Sequence, residues 1–155
     1  MNRGYQRTFA LLKPGVLPRR IVGRVLSRIE EKGLKIIGLK LLRLTREQCE
    51  LQYEEHKEKY FFAPLVEYMT KGPVIALVVA GPNAIATLRR LAGPTDPADA
   101  QPGTIRGDFG TFTRYNIIHA SDSVQSAERE IHLYFSEEEI YDWEDGNEAW
   151  FGELP

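Results

Sequence analysis

The sequence predicts a fold of mixed α-helices and β-strands. Four short apolar stretches have the composition of buried strands, and segments with an apolar residue every three or four positions separate them, as in amphipathic helices. The chain has 155 residues, 43% of them hydrophobic, which is enough to bury a substantial core. We therefore expect a single domain over residues 1–155, with an acidic tail that contains aromatic residues at about 136–155.

The first predicted unit is a strand, a helix and a second strand. The first strand covers residues 5–13 and ends at a Pro-Gly pair. Its last residue, Lys13, places a cation at the carboxyl end of a core strand, where open sheets bind ligands, although a lysine at a strand end is about as often a surface residue. Pro18 can open a helix that Gly33 ends, and the second strand follows over residues 34–44.

Two helices are predicted between the second and third strands. Residues 45–48 have the Thr-x-x-Gln form of a capping box, which begins a helix that carries Tyr53. A break near residues 58–60 separates it from the next helix. Phe61 and Phe62 at this bend cannot both face one core, which leaves one free to stack on a flat ligand, although core packing of both is the more usual outcome.

The third strand is followed by a helix and then by an unusually long loop. Residues 74–80 are continuous in Val, Ile, Leu and Ala, which predicts a strand buried on both faces. Residues 93–115 have no periodicity and are rich in Gly and Pro, and a loop of this length in a compact domain is functional or disordered. Arg106, held between Thr104 and Gly107, favours function because a cation, a hydroxyl and backbone N–H groups can approach an anion together.

The stretch Asn116-Ile117-Ile118-His119-Ala120-Ser121-Asp122-Ser123 predicts a strand that runs into a helix. The apolar pair before His119 favours a short strand, and the polar residues after it are types that cap helices. Because the free N–H groups of a helix N-terminus carry partial positive charge, we expect His119 to lie beside them, where a phosphate would bind. A histidine at a strand end is more often structural, so this feature alone does not establish catalysis.

The last helix is predicted over residues 123–134, with Glu130 one or two turns beyond its start. Its predicted buried residues are Val124, Ala127 and Ile131. In the tail that follows, Trp143 and Trp150 lie among acidic residues, which suggests that the tail docks through its aromatic side chains.

Charge is distributed unevenly along the chain. All 20 Lys and Arg precede Tyr134, whereas eight of the 22 acidic residues lie after residue 136, so the body of the domain is positively charged. Such a body attracts polyanions, either nucleotides or nucleic acid, although solvated surface charge is the default interpretation.

Cysteine content and apolar run lengths limit the class of protein. Cys49 is the only cysteine, which excludes a disulfide or zinc framework within one chain and predicts a small buried or half-buried apolar residue. The longest apolar run, residues 74–80, is too short to span a bilayer, and residues 9–12 are too short for the core of a signal peptide. We therefore expect a cytoplasmic protein that does not span a membrane.

Several cations and polar residues at element ends together suggest phosphate chemistry. The chain lacks the GxxxxGK[ST] loop and the protein-kinase signatures, so a nucleophilic histidine is the candidate route for phosphoryl transfer. The residues concerned are Lys13, Arg89, Thr95, Arg106, Asn116, His119 and Glu130.

From Arg7 to about Phe135 the sequence resembles the nucleoside diphosphate kinase family. The hallmark is the stretch at residues 116–123, close to the family's Asn-Ile-Ile-His-Gly-Ser-Asp-Ser. Further matches are Thr8-Phe9-Ala10-Leu11-Leu12-Lys13-Pro14, Gly72-Pro73-Val74, Asp96-Pro97-Ala98-Asp99 and Pro102-Gly103-Thr104-Ile105-Arg106-Gly107-Asp108-Phe109.

The resemblance implies an α+β fold of the ferredoxin-like βαββαβ type, with a four-stranded antiparallel sheet flanked by helices. It also implies a ping-pong reaction in which His119 carries the terminal phosphate of ATP or another nucleoside triphosphate to a nucleoside diphosphate, bound to Nδ1. Magnesium would be held mainly by the nucleotide phosphates and water, with no firm protein ligand. Stacking alone reads no hydrogen-bonding edge of a base, so we expect tolerance of purines and pyrimidines.

The resemblance also assigns roles to individual residues. Lys13 and Asn116 would bind the sugar hydroxyls, with Lys13 also near the transferring phosphate, and Phe61 would stack on the base. Tyr53 would lie beside His119. The outer phosphates would be held by Arg89, Thr95 and Arg106, and the imidazole by Glu130 and Ser121.

The family resemblance further implies a homo-oligomer, with a hexamer favoured over a tetramer. Pro97 matches the proline of the family's assembly loop, and the loop at residues 93–115 is too long for us to expect one protomer to hold it well. The aromatic tail offers another interface, across a dimer.

Two departures from the family pattern affect backbone conformation. Gly15 and Val16 replace the usual Asp-Gly after the first strand, and Ala120 replaces the glycine after the histidine, which is harmless only if its φ is negative.

The principal alternative function is a non-catalytic nucleotide or nucleic-acid binding regulatory protein on the same fold, since the positive body and an exposed Phe would serve it too. Nucleic acid is therefore a possible partner but not a required one.

Overall fold

A computed structural model describes residues 4–144, Gly146 and Trp150. The strands are β1 (Tyr5–Leu12), β2 (Lys35–Leu42), β3 (Val74–Pro82) and β4 (Ile118–Ala120). The α-helices are α1 (Val22–Glu31), α2 (Arg46–Gln52), α3 (Phe62–Met69), α4 (Ala84–Ala92), α5 (Ile105–Phe109) and α6 (Val124–Tyr134).

The four strands form one antiparallel sheet in the order β2-β3-β1-β4. This is the order of the ferredoxin-like fold, with the α2–α3 pair inserted between β2 and β3, and the predicted fold class is confirmed. The two long inner strands, β1 and β3, are buried along most of their length because helices cover both faces.

Alternate residues of β1 point to opposite faces and meet different helices. Ala10 and Leu12 pack with α1 and α4, whereas Phe9 and Leu11 pack with α2, α3 and α6. His119 pairs with Leu11 across β4 and β1, so the pleat directs it to the face that α2, α3 and α6 cover. The histidine therefore lies on a buried sheet face and not in a free loop.

The segment after β1 differs from the prediction. Helix α1 begins at Val22 and not at Pro18, because Pro14–Val16 forms a short 3-10 helix and Arg20 adopts a positive φ of 56° before α1 starts. Val16 is buried in the core. Gly15 has no positive φ in this turn, so the loss of the family's usual Asp-Gly leaves the backbone unstrained there.

The long loop is more ordered than its sequence predicts. It contains α5 and 3-10 helices at Pro97–Asp99 and Thr113–Tyr115, which are too short to show a periodicity. Thr104 Oγ1 accepts from Gly107 N at 3.0 Å, and Asp108 accepts from Gly103 N at 2.9 Å. The expectation that one protomer could not hold this loop well is therefore wrong.

The last helix confirms the predicted boundaries within one residue. Ser123 caps it by accepting from Ser126 N at 3.0 Å, and Ala127 and Ile131 are buried. Val124 is 59% exposed, so its predicted burial is wrong. It occupies the first helical position, where the side chain lies beyond the edge of the core.

The acidic tail docks on the sheet edge by ion pairs as much as by aromatic contacts. Lys35 pairs with Asp142 at 2.8 Å, and Trp143 Nε1 donates to Ile36 O at 2.9 Å. Of the two tryptophans, Trp143 docks on the sheet edge, whereas Trp150 is 85% exposed. The rest of the predicted tail (residues 145, 147–149 and 151–155) lies outside the described residues.

None of the helices in the described residues has both the length and the apolar composition that crossing a bilayer requires. Cys49 is buried, as predicted.

Candidate active site

A cleft of about 630 Å³ opens between the end of β1, β4, the long loop and the α2–α3 bend. It brings together most of the predicted site residues, namely Lys13, Tyr53, Phe61, Thr95, Arg106, Asn116 and His119. Glu130 and Ser121 lie behind the histidine, and Arg89 lies beside the cleft without lining it.

His119 is held from behind by a carboxylate. Its Nε2 lies 3.0 Å from each oxygen of Glu130, on the second turn of α6, and Ser121 Oγ donates to the same carboxylate. Among the described residues, no hydrogen bond joins His119 to the N-terminal N–H groups of α6. The expected position of His119 beside that helix N-terminus stays a prediction. Within the described residues Nδ1 has no hydrogen bond, which leaves that nitrogen available on the cleft side.

The electrostatics of Glu130 favour the ionised form. Burial by itself raises the pKa of this 3% exposed carboxyl, but the bonds from His119 and Ser121 outweigh it and the pKa lies below its usual range. An ionised carboxylate at Nε2 favours the proton on that nitrogen, so the lone pair is at Nδ1. Tyr53 meets the imidazole edge-on, with ring centroids 5.9 Å apart, and its buried hydroxyl has no hydrogen-bond partner among the described residues.

Gln52 is a neighbour of the histidine that the sequence analysis missed. Its Nε2 lies 3.2 Å from His119 Nε2, and its Oε1 is buried without a partner among the described residues. A detectable signal existed, because Gln52 shares the buried face of α2 with Cys49 and polar side chains are rare on such a face.

Two cations are buried at the floor of the cleft. Lys13 is 7% exposed, and burial together with the charge of Arg106 lowers its pKa to about 7. Arg106 is also 7% exposed, and burial and the nearby Arg89 lower its pKa to about 10. The cleft thus concentrates positive charge where water is largely excluded, which strengthens attraction for an anion.

Arg106 braces a strained turn next to the histidine. Ile117 has φ of 75°, an outlier for a β-branched residue, and Ile118 N donates to Asn116 O at 2.8 Å across it, which is a γ-turn. The Arg106 guanidinium donates to Asn116 O at 3.2 Å and to Ile118 O at 2.6 Å, on either side of the turn. A third bond reaches Gly93 O at 2.7 Å. Ala120 has no positive φ, so the strain is at Ile117 and not at the Gly-to-Ala departure.

Asn116, Thr95 and Arg89 complete the polar part of the site. Asn116 Nδ2 donates to Thr95 O at 2.9 Å, and within the part of the chain that the structure describes Asn116 Oδ1 is buried without a hydrogen-bond partner. Arg89 is exposed and donates to Ala120 O at 3.1 Å. The buried Asn116 oxygen is a free acceptor beside the cations.

The opposite end of the cleft is aromatic and more open. Phe61 lines it and is half-buried, whereas Phe62 packs against the core. Of the two predicted alternatives, the structure therefore shows the one in which a single phenylalanine is left to face a ligand. His56 lies 5.4 Å from Phe61 between ring centroids. His56 also lines the cleft. His132 lies at the surface and bonds Glu137.

The sequence analysis also missed other residues of the cleft wall. They carry no motif and are brought there by the α2–α3 bend and by the 3-10 helix Thr113–Tyr115, whose Tyr115 meets Tyr68 of α3 edge-on at 5.2 Å. These residues are Tyr60, Leu65, Thr113 and Arg114.

The donor set suits a metal that arrives with its ligand better than one bound by the protein. Within the described residues no group of three or more His, Cys, Asp or Glu is placed to hold a metal ion. Glu130 is already engaged by His119 and Ser121. Buried cations fit phosphate oxygens, and a magnesium ion on those phosphates needs no protein cage.

Comparisons with known proteins agree with the geometry. The family model described as nucleoside diphosphate kinase matches residues 6–140. A nucleoside diphosphate kinase of Archaeoglobus fulgidus is 55% identical over 148 residues, covering 96% of this chain and 98% of the relative. One from Treponema pallidum is 52% identical over 147 residues, covering 95% and 99%.

A solved structure extends the likeness to the backbone. The nucleoside diphosphate kinase of Halobacterium salinarum in complex with CDP superimposes with a TM-score of 0.93 at 43% identity, covering 96% of this chain and 99% of that one. The matching family model, the relatives and the solved structure are all described as nucleoside diphosphate kinases. This similarity favours a catalytic phosphotransferase over a non-catalytic binding protein. The chain belongs to the nucleoside diphosphate kinase family.

Proposed function

We propose that this protein moves the terminal phosphate of a nucleoside triphosphate to a nucleoside diphosphate by a ping-pong reaction, with His119 as the carrier. The observation that carries this proposal is the placement of His119, whose Nε2 is held by the buried Glu130 carboxylate while Nδ1 has no hydrogen bond within the described residues. A nucleophile with one nitrogen held by a base and the other directed at a cationic cleft has the arrangement that covalent catalysis needs.

The first half-reaction forms a bond between Nδ1 and the terminal phosphorus. The Nδ1 lone pair attacks as the bond to the bridging oxygen breaks, and that electron pair leaves with the nucleoside diphosphate. The proton stays on Nε2, where Glu130 balances the positive charge of the ring. A second nucleoside diphosphate then reverses these steps and takes the phosphate.

The buried cations would hold the phosphates in line with Nδ1. Arg106 gives three of its five N–H groups to backbone carbonyls, which leaves two for phosphate oxygens in a direction fixed by the fold. Lys13 would add charge near the transferring phosphate, and Arg89 and Thr95 would contact the outer phosphates. Fixed positive charge of this kind stabilises the transition state without reorganisation.

The base would bind at the aromatic end of the cleft, and the sugar would lie between the base and the phosphates. The free Oδ1 of Asn116 would accept from a sugar hydroxyl, with Lys13 as the other sugar contact, and Phe61 would stack on the base. Tyr53 would hold the edge of the imidazole, and Ser121 would hold Glu130. Because stacking does not read hydrogen-bonding groups, we propose a broad base preference.

Magnesium would arrive on the nucleotide phosphates and neutralise part of their charge. Lys13 and Arg106 would bind the oxygens that the ion leaves free. None of the described side chains needs to ligate the metal for this arrangement.

Labelling tests the proposal directly. Protein incubated with γ-labelled ATP alone should acquire label that is labile to acid and stable to alkali, and addition of a nucleoside diphosphate should remove it as labelled triphosphate. His119→Gln is the matched variant that should acquire none. Binding of ATP without any labelled protein would instead support the non-catalytic alternative.

We also propose a homo-oligomer, with a hexamer favoured over a tetramer. The family resemblance supports it, and Leu39 and Leu41 on the edge strand β2 are exposed at 53% and 63%. Pro97 is buried within its own protomer beside Gly110. Sedimentation equilibrium should give about six times 17.7 kDa, and a monomer would contradict the proposal.

The remaining expectations are proposals of the same kind. A single domain over residues 1–155 is supported by the match of the family model to residues 6–140, and limited proteolysis would test it. A cytoplasmic location would be tested by cell fractionation. Nucleic acid is not required as a partner.

A further inference from the structure

Behind His119 lies a buried amide that the proposed reaction has not yet used. Gln52 is the last residue of α2 and is 2% exposed, and its amide nitrogen lies 3.2 Å from His119 Nε2. That nitrogen of His119 is the one that Glu130 holds. Gln52 and Glu130 therefore meet the same imidazole atom from two different helices.

The position of this amide is fixed by bonds on both sides. Helix α2 begins with the complete capping box of Thr45, and its other end is tied to α6, where Arg129 Nη1 donates to Leu51 O at 3.1 Å. Leu51 precedes Gln52 and Arg129 precedes Glu130, so this bond joins the chain neighbours of the two groups that contact His119. The distance between Gln52 and Glu130 is thus set by the fold.

Hydrogen-bond chemistry limits what Gln52 can do at this place. With a proton on His119 Nε2, the amide must present its oxygen to the ring, because two N–H donors repel. With no proton on Nε2, the amide nitrogen can donate to the bare lone pair. A rotation of the Gln52 amide by 180° exchanges the positions of its oxygen and nitrogen, so the imidazole keeps a hydrogen-bond partner in either orientation. The carboxylate of Glu130, by contrast, can only accept.

We propose that Gln52 is a positioning residue for His119, an amide that presents its oxygen to the protonated Nε2 and so keeps the imidazole in place through both half-reactions. With its oxygen toward the ring, it joins Glu130 in favouring the tautomer that leaves the Nδ1 lone pair free. Its link to phosphoryl transfer rests on the proposed function, whereas its effect on the ring tautomer does not.

The test compares Gln52→Met, which keeps the size and removes both the donor and the acceptor, with Gln125→Met on an exposed face of α6. Histidine 15N NMR of the unligated protein reports which ring nitrogen carries the proton. We expect Gln52→Met to raise the Nδ1–H population of His119 and Gln125→Met to leave it unchanged. An unchanged tautomer ratio in a folded Gln52→Met protein would overturn the proposal.

A kinetic measurement then separates positioning from stability. The rate of His119 labelling by γ-labelled ATP should fall roughly tenfold in Gln52→Met, the effect of one net hydrogen bond, while the nucleotide concentration at half-saturation stays the same. If the wild-type protein takes no label at all, the proposed function fails, yet the tautomer measurement still decides whether Gln52 orders the ring. A higher nucleotide concentration at half-saturation, with an unchanged labelling rate, would contradict a positioning role.

Discussion

The two ends of the cleft are built differently. At the cationic end, Lys13 and Arg106 are buried, and the Arg106 guanidinium is fixed by three backbone carbonyls around a strained turn. At the aromatic end, Phe61 is half-buried and its neighbour Tyr60 is 95% exposed. One end is held rigidly by the fold, and the other is open to solvent.

This difference teaches where recognition is concentrated. Phosphates need several donors in fixed directions, and burial makes each of those contacts stronger. A base that stacks on one half-exposed ring gains a modest free energy that depends little on its identity. The structure therefore predicts an enzyme that discriminates by phosphate number more than by base.

Loss of the nucleophile should have the largest effect. His119→Gln should reduce phosphate exchange by at least about 100-fold, because the covalent route is closed, while nucleotide binding is largely retained. Exchange assays and equilibrium binding would measure the two. His132→Gln, on the surface of α6, is the matched control and should be unaffected. Exchange above about one hundredth of wild type in His119→Gln would rule out this nucleophile.

Removal of the Arg106 guanidinium should have the second-largest effect, and it should weaken the binding of ligands that carry phosphates most. Arg106→Ala should weaken triphosphate binding by roughly 10- to 100-fold, the range for hydrogen bonds to charged groups, with a much smaller loss for the nucleoside. Calorimetry with both ligands on the same variant gives the ratio, which cancels any general loss of folded protein. The exposed Arg90→Ala is the control. Equal losses for the two ligands would refute the assignment.

The lowered pKa of Lys13 predicts a pH effect of intermediate size. With a pKa of about 7 in the free protein, Lys13 is mostly neutral at pH 8, and bound phosphates restore its proton. Binding should therefore take up as much as about one proton, and affinity should fall by up to about tenfold per pH unit above pH 7. Calorimetry at pH 8 in buffers of different ionisation enthalpy measures the uptake.

Two variants decide whether Lys13 is the source of that proton. Lys13→Met should abolish the uptake, while the exposed Lys71→Met should retain it. Release of protons on binding to the wild-type protein, or the same uptake in Lys13→Met, would show that another group is responsible.

The open end should give the smallest effect. Phe61→Ala should weaken nucleotide binding about fivefold, from the lower end of the roughly 1–3 kcal/mol of a stacked base, and by the same factor for ATP and CTP. Phe112→Ala, an exposed aromatic that does not line the cleft, is the control. A loss confined to one base would mean that this end reads the base edge.

Sequence patterns predicted the elements that have a regular spacing of apolar residues or a local capping signal. The strands, the capping box at Thr45 and the end of the first helix at Gly33 follow from periodicity and local chemistry, and the structure confirms them. The residues of the histidine stretch were found because polar types collect at element ends. Helix α5 was missed because five residues show no period.

Contacts made only by tertiary folding could not be predicted. The buried face of α2 could have pointed to Gln52, but nothing local says that folding brings it to a histidine more than sixty positions away. Nothing local places His56 in the same cleft either. The positive φ of Ile117 is another example, since the braces from Arg106 override the local preference of a β-branched residue.

The central claim is that Glu130 holds Nε2 of His119 and so directs phosphate to Nδ1. Protein labelled with 15N-histidine and phosphorylated by ATP should show 31P–15N coupling to one nitrogen, which NMR under alkaline conditions can assign. The structure predicts coupling to Nδ1 of His119. Coupling to Nε2, or to a ring nitrogen of His56 or His132, would contradict the account.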